Sequence, residues 1–246
     1  MLTAKQDLTK IIFLKIETVP ASPILENLEP TELINCFNKR FKAALEDSDS
    51  ENDVYQEKAS ITPEFGKIAA ISWGIISDIS GDEYKFSGKT ISSNNEVELL
   101  TQFHEKISKL VKKGGDYEYY LCGYALKGFD VPFIAKRMLI NNMTLPPVLN
   151  TYGAKPWELN QYIDLSEAWK MTAWDSYTSM ETLCALFDIE IKPLEPRLIN
   201  TAYYDLNNYF FISQRCEDKV LAMANLFLRI KGIPNKVIKQ KLVSNN

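Results

Sequence analysis

The run Ile11-Ile12-Phe13-Leu14-Lys15-Ile16-Glu17-Thr18-Val19-Pro20 constrains this chain more than any other stretch. Its apolar, β-branched character and its stop at Pro20 predict a buried strand. Side chains two apart on a strand share a face, so Lys15 and Glu17 project into one space. A charge inside an apolar run is costly unless it is paired or put to chemical use. The two residues therefore mark either an internal ion pair or a site.

The rest of the chain supplies partners for that strand. Residues 31–45 carry helical spacing after a Thr31 cap, and the acidic stretch 46–58 reads as a mobile surface connection. Lys67–Ile76 reads as a second buried strand, with Tyr84–Ile91 its hairpin partner across Ser80-Gly81-Asp82. A helix is expected over 95–113, ended by Gly114-Gly115, and a short aromatic strand over Tyr117–Tyr124. Asp130–Asn141 reads as a helix with Pro132 tolerated in its first turn. Leu145–Trp157 is a loop, Tyr162–Leu165 a short strand, Tyr177–Phe187 a helix. A last long helix spans Asn207–Lys231, before Gly232 and Pro234. This order predicts an α/β fold with a mixed sheet flanked by helices rather than an all-parallel doubly wound sheet.

Composition removes several function classes. A chain of 246 residues with 46% hydrophobic content can bury a full core, and the reading is one domain over 1–246 with 46–58 inserted in it. A net charge of -4 gives no field favouring nucleic acid in general, so any phosphate contact must come from a local patch. Cys36, Cys122, Cys184 and Cys216 form no CxxC pair, which speaks against a zinc site or a disulfide framework. The only histidine, His104, falls in an ordinary amphipathic pattern, so histidine-based catalysis is not expected. With no apolar run of about 18 residues and no N-terminal apolar leader, the expectation is a cytoplasmic protein away from membranes.

Three segments hold charges that such a fold can bring together: Lys15-Ile16-Glu17-Thr18, Gly123 to Asp130 at a strand end leading into a helix, and Arg215-Cys216-Glu217-Asp218-Lys219 in the last helix. Each also has an ordinary explanation. Asp130 can cap its helix, and Arg215 and Lys219 can solvate an exposed face.

Those segments carry a resemblance. FLKIETVP (13–20), PEFGKIAAIS (63–72), GYALKGFDVPFIAKR (123–137), GAKPWEL (153–159), IDLSEAWK (163–170) and RCEDKV (215–220) resemble, in order, segments of the predicted 3′-5′ exonuclease family related to the proofreading domain of family B DNA polymerases. That family belongs to the DEDD superfamily with a ribonuclease H-like fold, and its usual motifs are FDIETVP, PEFGKI, GHNxKxFDxPxIxxR, LDxxELWK and YCxxDV. The resemblance implies four acidic residues holding two divalent metals that activate water, assisted by a tyrosine before the last aspartate. Position by position, Glu17 and Asp130 are retained, Lys15 and Lys219 replace the other two aspartates, and Arg215 replaces the tyrosine. Tyr124-Ala125 stands where the family has HN.

The formal charge of the four positions thus goes from -4 to zero. At ~4 Å and an effective dielectric near 20, each unit-charge pair is worth about 4 kcal/mol either way. Attraction and repulsion toward a dication therefore cancel, and dehydration of Mg²⁺ is left uncompensated. No cofactor is expected, with Mg or Mn required only if activity survives. The resemblance then implies a catalytically degenerate exonuclease-fold protein. Its cleft residues Lys15, Thr18, Tyr124, Lys127, Phe129, Arg215 and Lys219 would bind the 3′ ends of single-stranded DNA or RNA, or its surface a protein partner. Tyr124, Phe129, Trp157, Trp174 and Tyr177 are candidates for stacking a base, although core packing is the more ordinary use of such residues. The alternatives are an active metal-dependent 3′-5′ exonuclease using Glu17, Asp130 and a rearranged Asp218 or Asp164, and an inert structural or regulatory subunit.

Overall fold

The computed structural model describes residues 7–80, 82–108, 119–155, 158–173, 177–192 and 196–239. Among these, six strands form one sheet: β1 (Ile11–Pro20), β2 (Gly66–Asp78), β3 (Glu83–Ser92), β4 (Tyr120–Gly123), β5 (Tyr162–Asp164) and β6 (Lys236–Lys239), in the order β5-β4-β1-β2-β3-β6. The hairpin β1–β2–β3 is antiparallel, while β4, β5 and β6 join by parallel pairing. The sheet is mixed and flanked by helices, the α/β class that the element order predicts.

Alternation along β1 sends its residues into two cores. Odd-numbered Ile11 and Phe13 pack with α9 (Tyr209–Ile230), where the Phe13 and Phe227 rings lie 5.8 Å apart edge to face. Even-numbered Ile12, Leu14 and Ile16 pack against α4 (Glu96–Ile107) and α5 (Val131–Ile140) through Leu99, Phe103 and Ile134. Lys15 and Glu17 inherit the α9 side. A register shift between Glu17 and Thr18 interrupts the ladder with β2 just past them, before pairing resumes through Pro20, and such bulges re-aim side chains.

The acidic stretch corrects the sequence reading. Residues 31–45 divide into α1 (Glu32–Arg40) and α2 (Lys42–Glu46), interrupted at Phe41, and α3 (Glu51–Ser60) follows within the segment expected as an irregular connection. Ser50 caps α3 by accepting from Asp53 N–H at 3.2 Å, and Glu51 and Asp53 suit the positive end of the helix dipole. Two of the acidic residues are thus first-turn residues of a helix whose Tyr55 is fully buried. Tyr55 packs edge to face on Phe37 at 5.2 Å, and Phe37 on Phe65 at 5.3 Å. Phe41 joins this cluster, 4.8 Å from Phe37, and leaves helical geometry at φ -109°, ψ 23°. Thr31 makes no side-chain cap. Gly66 is required by close approach: a Cβ there would lie 2.5 Å from the Ala59 carbonyl at the end of α3.

Other boundaries tighten. The 95–113 helix ends as α4 at Ile107, with 109–118 outside the described residues, as is Gly81 of the hairpin turn. The last two expected helices are α7 (Met180–Leu186) and α9, each capped by a side chain, Ser179 and Asn208. Two short helices, α6 (Leu165–Lys170) and α8 (Pro196–Tyr204), and strand β6 lack a signal in the sequence reading. No helix among the described residues is long and apolar enough to cross a membrane.

Replacing Tyr55 by alanine is expected to cost about 3–5 kcal/mol in chemical denaturation, as for a large buried ring. A loss below about 0.5 kcal/mol would contradict the placement of α3 in the core.

Candidate functional site: an ion-paired cleft

Three elements meet at the α9 side of the sheet. β1 brings Lys15 and Glu17. The turn after β4 brings Asp130: Ala125 adopts a left-handed conformation (φ 57°), and Leu126–Asp130 form a π-helical turn leading into α5. Asp164 at the end of β5 holds this turn, accepting from Ala125 N–H at 3.1 Å and Lys127 N–H at 2.9 Å. It also caps α6 through Ser166 N–H at 3.0 Å and the Ser166 hydroxyl at 2.7 Å. Both Asp164 oxygens are therefore engaged by the chain itself.

Asp130 does not cap α5. Its side chain is fully buried and accepts from Lys15 Nζ at 2.8 Å and from Ile16 N–H at 3.1 Å. Lys15 Nζ also lies 5.2 Å from the centroid of the Phe129 ring. On the neighbouring side, Lys219 Nζ of α9 sits 2.6 Å from Glu17 Oε1. That contact is an ion pair out of line for a hydrogen bond, since Glu17 Oε1 has no aligned donor. Each of these two carboxylates thus faces one ammonium. The cations are nearly enclosed: the Lys15 side chain is 14% exposed and that of Lys219 20%.

The electrostatics follow from that pairing. Burial opposes the charge on Lys15, but Asp130, its hydrogen bond and then Glu17 overcome the opposition and hold the ammonium pKa above its ordinary 10.5. Burial pushes the Asp130 carboxyl up from 3.8, and Lys15, Ile16 N–H and Lys219 pull it back without cancelling the push. The two upward shifts favour opposite charge states of the one pair. The 2.8 Å contact and the backbone N–H decide for the ionised form at neutral pH. Cys216, whose Sγ donates to the Lys15 carbonyl at 3.3 Å, has its thiol pushed well up by burial and stays neutral.

The other candidates go elsewhere. Arg215 is buried and donates to the Lys192 carbonyl, while its Nε has no partner among the described residues. Asp218 lines a cavity of about 480 Å³ with Lys192, Asn225 and Arg229, on a different side of α9 from Lys219, as the ~100° step between adjacent helical residues requires. Burial raises its carboxyl pKa. Lys127 Nζ pairs with Glu167 at 2.8 Å. Tyr124 is buried in the core and its hydroxyl donates to the Thr178 carbonyl. Phe129 packs on Phe133 at 5.4 Å, Thr18 is half-buried and Tyr177 is exposed. Trp157 and Trp174 lie outside the described residues.

One group behind the cleft was not anticipated. Glu96 at the start of α4 accepts from Ile68 N–H at 2.7 Å, Arg137 Nη2 at 2.6 Å and Asn141 Nδ2 at 3.0 Å, and Arg137 Nη1 donates to the Pro63 carbonyl at 3.0 Å. This clamp ties the PEFGKI segment to α5. Arg137 was visible as the last residue of GYALKGFDVPFIAKR, but its carboxylate partner 41 residues earlier carried no signal.

The donor set does not fit a divalent cation. The carboxylates that would ligate it, Glu17 and Asp130, each hold an ammonium, and a dication would meet two positive charges at those contacts. Among the described residues no cluster of three His, Cys, Asp or Glu could hold a metal.

Comparison with known proteins gives the fold. The family B DNA polymerase from the hyperthermophilic archaeon Pyrobaculum calidifontis is similar over 89% of this chain, with a TM-score of 0.51 and 10% identity. The chain spans 24% of that polymerase's length. No protein-family model matches the chain, and no curated protein sequence does.

Lys15→Met would leave the buried Asp130 carboxylate without its cation, at an expected cost of about 3–5 kcal/mol. Lys15→Met/Asp130→Asn, which keeps an acceptor for Ile16 N–H, is expected to recover most of that loss in urea denaturation. Because the folded pKa of Lys15 is raised, its contribution is complete below 10.5 and fades as pH rises through the folded value. The stability gap between wild type and Lys15→Met should therefore be flat between about pH 8 and 10 and narrow above that.

Proposed function

We propose that this protein is an exonuclease-fold module that has lost hydrolysis and works by binding the ends of single-stranded nucleic acid. The observation that carries the reading is the pairing of Lys15 with Asp130 at 2.8 Å and Lys219 with Glu17 at 2.6 Å. Two carboxylates that would concentrate negative charge for metals are neutralised by cations built into the chain. The rearranged-enzyme alternative loses support because Asp164 is spent on the turn and on α6, and Asp218 faces another cavity.

Binding remains chemically open because an ammonium has three donors and each of these uses part of that capacity. Lys15 and Lys219 keep a fraction of their surface exposed, Lys15 beside Phe129. A terminal phosphate could share those donors without the metal-bound water that cleavage needs.

A second reading, an inert structural or regulatory subunit, rests on a specific observation as well. Each cationic side chain expected to meet a phosphate already has an ion-pair or hydrogen-bond partner inside the protein: Lys15, Lys219, Lys127 and Arg215.

Fluorescence anisotropy with a labelled single-stranded oligonucleotide separates these. The end-binding reading expects salt-dependent affinity, and Lys219→Met should reduce the log–log salt slope by about 0.7, one phosphate contact on a single strand. No affinity, or a slope unmoved by Lys219→Met, would favour the inert subunit. In parallel, incubation with Mg²⁺ or Mn²⁺ should give no 3′ trimming; trimming that disappears in Glu17→Gln would overturn the loss of hydrolysis.

A further inference from the structure

We propose that the polar pocket between α3 and α8 is a binding site for a planar, amine-bearing heterocycle of the nucleobase class. The cavity is about 300 Å³, walled by Asn52, Asp53 and Gln56 from α3 and by Arg197, Asn200 and Tyr204 from α8. That volume is at the low end for small-molecule sites, room for one ring system rather than a dinucleotide. Arg197 pairs with Asp53 at 3.4 Å, and Asp205 adds a further carboxylate to the lining. With two carboxylates against one guanidinium, the lining does not favour a phosphate and suits a neutral ligand that forms hydrogen bonds.

The polarity of the amides is fixed from one end. The Pro23 carbonyl can only accept, so Gln56 turns Nε2 to it and presents Oε1 to Asn200. Asn200 must then donate Nδ2, at 2.5 Å, which leaves its own Oδ1 over. That oxygen, on a side chain 8% exposed, has no donor among the described residues, and neither has Asn52 Oδ1 on the facing helix. Two amide carbonyls without donors in one pocket call for a ligand rich in N–H. Their oxygens are covered in the present packing, so engagement turns each amide about χ2, a broad torsion, and for Asn200 exchanges the Gln56 contact for the ligand.

Exocyclic amines of adenine, cytosine and guanine offer two N–H donors each and meet this demand, whereas uracil and thymine offer a single ring N–H flanked by two carbonyls. The site is also close to the cleft: the Tyr204 hydroxyl donates to the carbonyl of Pro20, three residues along β1 from Glu17, about 10 Å at strand spacing. A strand end held at the cleft could place a base here, an extension that rests on the end-binding reading. A free nucleoside would use the same chemistry.

Saturation-transfer NMR with adenosine, cytidine and uridine tests the pocket without the cleft. Adenosine and cytidine should bind about three- to tenfold tighter than uridine, the worth of one hydrogen bond. Asn52→Ala, at a half-exposed position, and Asn200→Ala should each remove that preference. Equal binding of uridine, no response to any nucleoside, or a preference unchanged in both variants would overturn the proposal. Strand binding that depends on Lys219 together with silence toward nucleosides would sink the pocket and spare the end-binding reading. Nucleoside selectivity together with strand affinity indifferent to Lys219 would do the reverse.

Discussion

A fully buried carboxylate needs a positive neighbour, and the cleft of this protein is organised around that need. Asp130 is withdrawn from water at the junction of a π-helical turn and α5, where an isolated charge would cost several kcal/mol even after relaxation. Its two oxygens are met by Lys15 and by the backbone of Ile16, one residue on along the same strand. Glu17, two residues from Lys15, is met by Lys219 of α9. The strand thus carries one cation and one anion on a single face and draws the complementary charge from each of two helices. The ion pairs add little net stability compared with apolar packing, but losing either partner is costly, so the four residues are held as a set.

The scaffold fixes these groups from behind. Asp164 pins the turn that delivers Asp130, and the Glu96–Arg137 clamp ties α5 to the start of β2. Two further buried carboxylates are thereby occupied with backbone N–H groups and a guanidinium. The acidic residues around the cleft thus serve to position backbone and neutralise cations, an arrangement opposite to one that concentrates negative charge for metal ions.

How much of this could be read from the sequence depended on how local the cause was. The Lys15–Glu17 pair on a buried strand was legible because period-two alternation dictates a shared face, and the resemblance to FDIETVP, FDxPxIxxR and YCxxDV brought Asp130 and Lys219 alongside. The partner choice was not legible: Lys15 reaches Asp130 across 115 residues, and nothing local said it would do so rather than bind Glu17. The stretch 46–58 was misread because its acidity resembles a solvated connection, while the burial of Val54 and Tyr55 depends on aromatic partners at Phe37 and Phe65. Asp130 looked like a cap from its place before Val131-Pro132, yet its helix begins in a π-turn that turns the carboxylate inward. β6 and α8 were missed because they are short and defined by packing on β3 and β1 rather than by their own pattern.

The central claim is that ammonium groups, not metal ions, neutralise Glu17 and Asp130. Titration of the wild-type protein with Mn²⁺, followed by electron paramagnetic resonance of the free ion, tests it most directly. The account predicts no stoichiometric binding, and the same free-ion signal for Glu17→Gln as for wild type. One or two ions bound per chain in the wild type, lost in Glu17→Gln, would contradict it.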